Sequence, residues 1–134
     1  MKILSVTTLF QNEFIDITHD VQQIVTACGA INNGWCMVFA PHTTAGVTIN
    51  ENADPDVPSD ILQQLDKMAP QKAGYRHQEG NSAAHIKSLL TGSSVMVAIQ
   101  NNRLVLGKWQ GVFFCEYDGP RKRDVHVHVY RAAE

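Results

Sequence analysis

Gly34-Trp35-Cys36-Met37-Val38-Phe39-Ala40 is a continuous apolar run bounded by turn residues. Seven such residues make a strand rather than a helix, and the unbroken apolarity marks a central strand. Pro41-His42-Thr43-Thr44 then turns the chain into a second strand-like piece at 45–50. Upstream, residues 2–10 and 14–17 are rich in β-branched and aromatic side chains and read as strands, with Gln11-Asn12-Glu13 as their turn. Thr18 is placed as the N-cap of a helix that runs to Cys28 and closes at Gly29. Its apolar face carries Val21, Ile24, Val25 and Cys28.

Downstream, Asp54-Pro55-Asp56-Val57-Pro58-Ser59 has helix-start chemistry and leads into a helix from about residue 60 to Met68, stopped by Pro70. Residues 71–80 form a polar loop, after which Asn81 caps a short helix at 82–90, closed by Gly92. Strands follow at 95–100, 104–106, 111–117 and 125–131, with Asn101-Asn102 as a hairpin turn. This order breaks strict β-α-β alternation. It predicts an α+β fold, a mainly antiparallel sheet with about three helices packed on one face, in a single domain over residues 1–134.

Composition narrows the function classes. Of 134 residues 44% are apolar and 18% charged, which suits a packed core, and the net charge is -2. A chain without a long basic run has little electrostatic purchase on a phosphate backbone, so nucleic acid is not an expected partner. Nothing approaches the roughly 20 apolar residues of a membrane helix, and the N-terminal run reads as a first strand, not a signal peptide. Three widely spaced cysteines, Cys28, Cys36 and Cys115, form no C-x-x-C pair and suit a reducing cytoplasm.

The histidines are the first candidates for chemistry. His77 lies in the polar loop and His85 one turn into the helix that Asn81 begins, so the two can face one metal or one anion. Zinc usually takes three or four protein ligands, and His42, at a strand-to-strand loop, is the candidate third. His126 and His128 alternate with valines, which a half-buried strand with a solvated face already explains. The hydroxyls and glycine of His42-Thr43-Thr44-Ala45-Gly46 fit either an anion cradle or a plain strand-entry turn. The acids around Glu51 fit either a Mg²⁺ site or a solvated helix start, with Glu51 a candidate general acid or base. In 116–121, Glu116 and Asp118 are expected on one strand face, with Arg121 pairing with either or holding a phosphate.

Three blocks, Pro41 through Val57, Tyr75-x-His77 through Asn81-x-x-x-His85, and Leu106-Gly107-Lys108-Trp109-Gln110-Gly111, together resemble the YjbQ family nearly end to end. The departures are Lys108, where the family commonly has threonine, and Asn102, where glycine is common. The resemblance implies a homotrimer with a pocket near a subunit boundary. It also implies an activity like that of a secondary thiamine-phosphate synthase, which joins a pyrimidine diphosphate to a thiazole phosphate and releases pyrophosphate. On this footing the expectation is a cytoplasmic, metal-assisted enzyme acting on a small phosphorylated metabolite. A divalent metal, zinc or magnesium, is expected on His42, His77 and His85. Glu51 and His42 are the expected catalytic groups, and Thr43, Thr44, Asn81, Gln110 and Arg121 the substrate-binding ones. The alternative is a non-catalytic metal- or metabolite-binding module built from the same residues.

Overall fold

The computed structural model describes residues 1–133. In chain order it contains β1 (Lys2–Thr7), β2 (Glu13–Asp16), α1 (Thr18–Ala27), β3 (Asn33–Phe39), β4 (Ala45–Glu51) and α2 (Asp56–Met68). These are followed by α3 (Ser82–Thr91), β5 (Ser94–Gln100), β6 (Arg103–Leu104), β7 (Gln110–Glu116) and β8 (Lys122–Arg131). The fold is α+β and every strand pairing is antiparallel. The strands divide between two sheets instead of forming one: β1-β8-β3-β5-β6 and β2-β7-β4.

The quoted run does form the middle strand of the larger sheet, but only half of it is sealed. Cys36 and Val38 point into the main core, whereas Trp35, Met37 and Phe39 alternate onto the opposite face and stay half-buried. The core side is closed by Val125 and Val127 of β8, Val97 and Ile99 of β5, Val21 and Val25 of α1, and Val47, Val112 and Phe114 from the smaller sheet. The fully double-sided strand is β7. Its residues Val112 and Phe114 face this core, while Phe113 and Cys115 face Ala84 of α3 and Leu62 and Leu65 of α2. So α2 and α3 back the smaller sheet, and α1 packs within the core between the sheets.

Local chemistry explains the helix boundaries. Thr18 is the first residue of α1 and not its cap: its hydroxyl donates to Asp16 Oδ1 at 2.6 Å and accepts the Val112 N–H at 2.8 Å, tying the helix start to β7. Asp16 takes up the Thr18 N–H instead, at 2.9 Å. α2 begins a turn earlier than the sequence suggests, because Asp54 accepts the Asp56 N–H at 2.9 Å and Pro58 fits a first turn, where its missing N–H costs no bond. In the hairpin, Asn101 and Asn102 both have positive φ (50° and 63°), the backbone that a two-residue turn of this kind demands. The Asn102 side chain also accepts the Ile31 N–H, a bond that a glycine there would forgo.

One ion pair crosses between the sheets. Arg123 of β8 grips Glu116 at the end of β7, Nε to Oε2 at 2.7 Å and Nη2 to Oε1 at 3.0 Å, with the two side chains 4% and 0% exposed. The same Nη2 donates to the Thr44 hydroxyl at 2.8 Å, just ahead of β4. Burial pushes the Glu116 carboxyl above the ordinary carboxylate range, and the guanidinium pulls against that push.

Candidate functional site

A pocket of about 730 Å³ opens where the β3–β4 turn, the polar loop, the start of α3 and the β7–β8 connection meet. His42, Thr43, Thr44, His77, Asn81, His85 and Arg121 all line it, so seven of the nine expected metal, catalytic and substrate-binding residues converge. Glu51 and Gln110 do not. They pair with each other at the far end of the β4–β7 ladder, six positions along from Ala45↔Glu116, which is about 20 Å of extended strand. Gln110 there accepts the Gly107 N–H at 2.8 Å, a turn-closing bond. Neither residue reaches a small ligand in this pocket, so an acid–base role for Glu51 and a substrate contact for Gln110 are both set aside here.

Two turns of α3 organise the mouth. Asn81 occupies the N-cap position, yet its side chain makes no capping bond. It turns into the pocket, where Nδ2 donates to Asp118 Oδ2 at 3.0 Å. Its Oδ1 is buried and has no hydrogen-bond partner among the described residues. His85, one turn on, faces His77 with ring centroids 5.6 Å apart and planes at 86°.

His42 behaves differently. Its Nε2 lies 2.9 Å from the Asp124 carbonyl and 3.1 Å from the Asp124 N–H, donating to the first when protonated or accepting from the second when not. Burial holds its pKa below the ordinary histidine value, with the Asp124 backbone acting in the other direction. With that nitrogen engaged by β8, only Nδ1 remains for the pocket. Among the described residues no three His, Cys, Asp or Glu side chains gather at one point. A preformed three-histidine metal centre therefore does not fit this arrangement. His77 and His85 face each other, and Asn81 Oδ1 shares their pocket.

The arginine side of the pocket is built on paired acids. Asp118 accepts Arg121 Nη2 on Oδ2 at 3.2 Å and Arg121 Nε on its carbonyl at 3.0 Å, so it aims both Arg121 and Asn81. β7 stops at Glu116, which separates the two acids expected on one strand face: Glu116 goes to Arg123 and Asp118 to Arg121. Arg123 belongs to the pocket floor. Its position was readable, since Arg123, Val125 and Val127 alternate onto one face of β8. Thr44 is 6% exposed and its hydroxyl is committed to Arg123, so it shapes the floor; Thr43 is the exposed hydroxyl of the pair.

Fold and site together define a class: a small two-sheet antiparallel α+β domain with a histidine- and arginine-lined pocket at one end of its sheets. The chain belongs to the family described as UPF0047 protein YjbQ-like, whose model matches residues 2–132. It is 48% identical over 130 residues to the UPF0047 protein YugU of Bacillus subtilis, covering 96% of this chain and 98% of that one. A UPF0047 protein of Methanocaldococcus jannaschii is 44% identical over 119 residues, 89% of this chain and 86% of the other. Among solved structures, an uncharacterised conserved YjbQ/UPF0047 protein of Clostridium acetobutylicum superposes with a TM-score of 0.94 at 52% identity, covering 97% of this chain and 100% of that one. A YbjQ-like protein of unknown function from Sulfolobus solfataricus superposes with a TM-score of 0.93 at 32% identity, covering 98% and 96%.

Proposed function

We propose that the pocket is the active site of a metal-assisted enzyme acting on a small phosphorylated metabolite. The observation that carries this reading is Asn81 Oδ1. A buried acceptor without a donor costs about 1–3 kcal/mol, and this one sits in a pocket shared with three imidazoles and two guanidinium groups. Such an atom is open to a cation or to a donor, from water or from a ligand.

Charge bookkeeping supports a cation beside the phosphate. Arg121 is matched by Asp118 and Arg123 by Glu116, so a phosphoryl dianion needs further positive charge. A divalent cation on His77, His85 and Asn81 would supply it, neutralising charge that develops on a leaving phosphate. The chain's own groups do the remaining work. Arg123 and Arg121 hold phosphoryl oxygens, Thr43 orients the metabolite, and His42, through Nδ1, is placed to move a proton. Joining a pyrimidine diphosphate to a thiazole phosphate with release of pyrophosphate is the reaction we test first. No described helix is long and apolar enough to cross a membrane, and Cys28, Cys36 and Cys115 are free thiols, which supports placement in the cytoplasm.

Turnover of the two thiamine precursors with added Mg²⁺ or Zn²⁺, together with elemental analysis of untagged protein, tests the reading. Product from the wild type that is lost in His85→Ala with an unchanged circular dichroism spectrum supports it. Undiminished product from both His77→Ala and His85→Ala defeats the assignment to this pocket. Pyrophosphate binding without turnover of these precursors would instead favour a metabolite-binding module.

A further inference from the structure

A second cavity, of about 620 Å³, lies where the β2–α1 junction, the residue after β4 and the β5–β6 hairpin meet. Its Asn52 follows Glu51, at the end of the β4–β7 ladder about 20 Å of extended strand from the first pocket. Bonds between neighbouring elements fix its walls. Asp16 Oδ1 accepts the Thr18 N–H at 2.9 Å and the Thr18 hydroxyl at 2.6 Å, and Oδ2 accepts Asn52 Nδ2 at 3.1 Å. Gly111 makes room for that amide, since a Cβ there would come within 2.5 Å of Asn52 Nδ2 and 2.9 Å of its Cγ. Gln22 of α1 pins the hairpin, donating to the Asn102 carbonyl at 2.8 Å and accepting the Leu104 N–H at 3.0 Å. Leu104 and Leu106, packed against the main core, give the cavity an apolar wall.

Two lining side chains stand outside this network. Among the described residues neither Arg103 nor His19 has a side-chain hydrogen bond or an ion pair. We propose that the cavity binds a small monocarboxylate with an apolar body, its carboxylate held by Arg103 and His19 and its body by Leu104 and Leu106. Charge selects this class of ligand. Asp16, the one acid lining the cavity, is occupied by the donors of Thr18 and Asn52, so a cation finds no open carboxylate here. A guanidinium without an acid is instead matched to a carboxylate, in geometry as well as charge. A phosphoryl dianion would bring a second negative charge towards Asp16, with Arg103 the one permanent cation to meet it. A fully polar ligand would leave the leucine wall uncovered, and an apolar body covers it. An apolar wall with a few convergent polar groups, at this volume, has the form of a small-molecule site. The two cavities share no lining residue, so this inference stands apart from the chemistry assigned to the first.

NMR titration of isotopically labelled protein with hexanoate decides it. Saturable shifts, in the millimolar range, are expected at the backbone amides of His19, Asn52, Arg103 and Leu104. Acetate, which lacks the apolar body, is expected to bind at least about tenfold more weakly. Hexylammonium, with the body but the opposite charge, is expected to give no saturable shift at these amides. Arg103→Gln is expected to weaken hexanoate at least about tenfold, and His19→Ala about threefold or more. Both side chains are exposed, so either variant keeps the core intact and the second decides the matter if the first fails to fold. Hexanoate shifts that do not saturate at these amides overturn the proposal. So does acetate that binds as tightly as hexanoate, or an Arg103→Gln protein that binds hexanoate as the wild type does.

Discussion

Replacing Arg123 with methionine removes the guanidinium and leaves Glu116 fully buried beside an apolar side chain. Breaking a buried pair by deleting one partner costs about 3–5 kcal/mol, because the remaining charge must be desolvated alone or protonated. Both side chains are 4% exposed or less, so solvent screening does little to soften that figure. For a domain this size the loss corresponds to a drop in Tm of about 10–20 °C, read by circular dichroism. The pH dependence has a definite sign. Burial already raises the Glu116 carboxyl, and without the Arg123 guanidinium only the charge of Arg121 still opposes it. The folded variant then keeps a proton that the unfolded chain releases above about pH 4.3, so its stability falls as pH rises from there. The double change Arg123→Met with Glu116→Leu removes the stranded acid and is expected to recover most of the loss. A single variant within about 1 kcal/mol of the wild type, or a double variant no more stable than the single, would refute the view that this pair joins the sheets.

Three further outcomes follow from particular residues. His42 has a folded pKa held below the ordinary value by burial, so unfolding takes up protons at its site. Urea titrations should therefore show stability falling as pH drops below about 6.5, with a shallower slope in His42→Leu. Phe114, 0% exposed between the two sheets, should cost about 3–5 kcal/mol as Phe114→Ala in chemical denaturation. Glu51→Gln should leave pyrophosphate affinity by calorimetry unchanged, since strand geometry carries that residue away from the pocket.

What could be read without coordinates was whatever followed a period or a punctuation mark. Alternating valines placed β8, Gly29 and Gly92 closed their helices, and the convergence of His42, His77 and His85 on one region came from loops meeting at a helix start. The second sheet was not legible, because continuous apolar runs such as 111–115 look alike whether helices or another sheet cover them. Glu51 was singled out for its acidic neighbours, and a cluster of acids says nothing of the about 20 Å of extended strand that separates it from the pocket. Arg123 carried no signal of its own beyond its phase with Val125 and Val127, which points inward. The stranded Asn81 oxygen depends on which way one amide turns, and no spacing encodes that.

The bonds that form the pocket floor are the same bonds that clasp the two sheets, Arg123 to Glu116 and to Thr44. Anything that settles on this floor tightens a seam running through the whole domain, not one loop at its rim. Occupancy should accordingly appear as a rise in global melting temperature that scales with the logarithm of concentration. A thermal-shift screen of cellular metabolites can then reveal what the protein takes up before any reaction has been guessed.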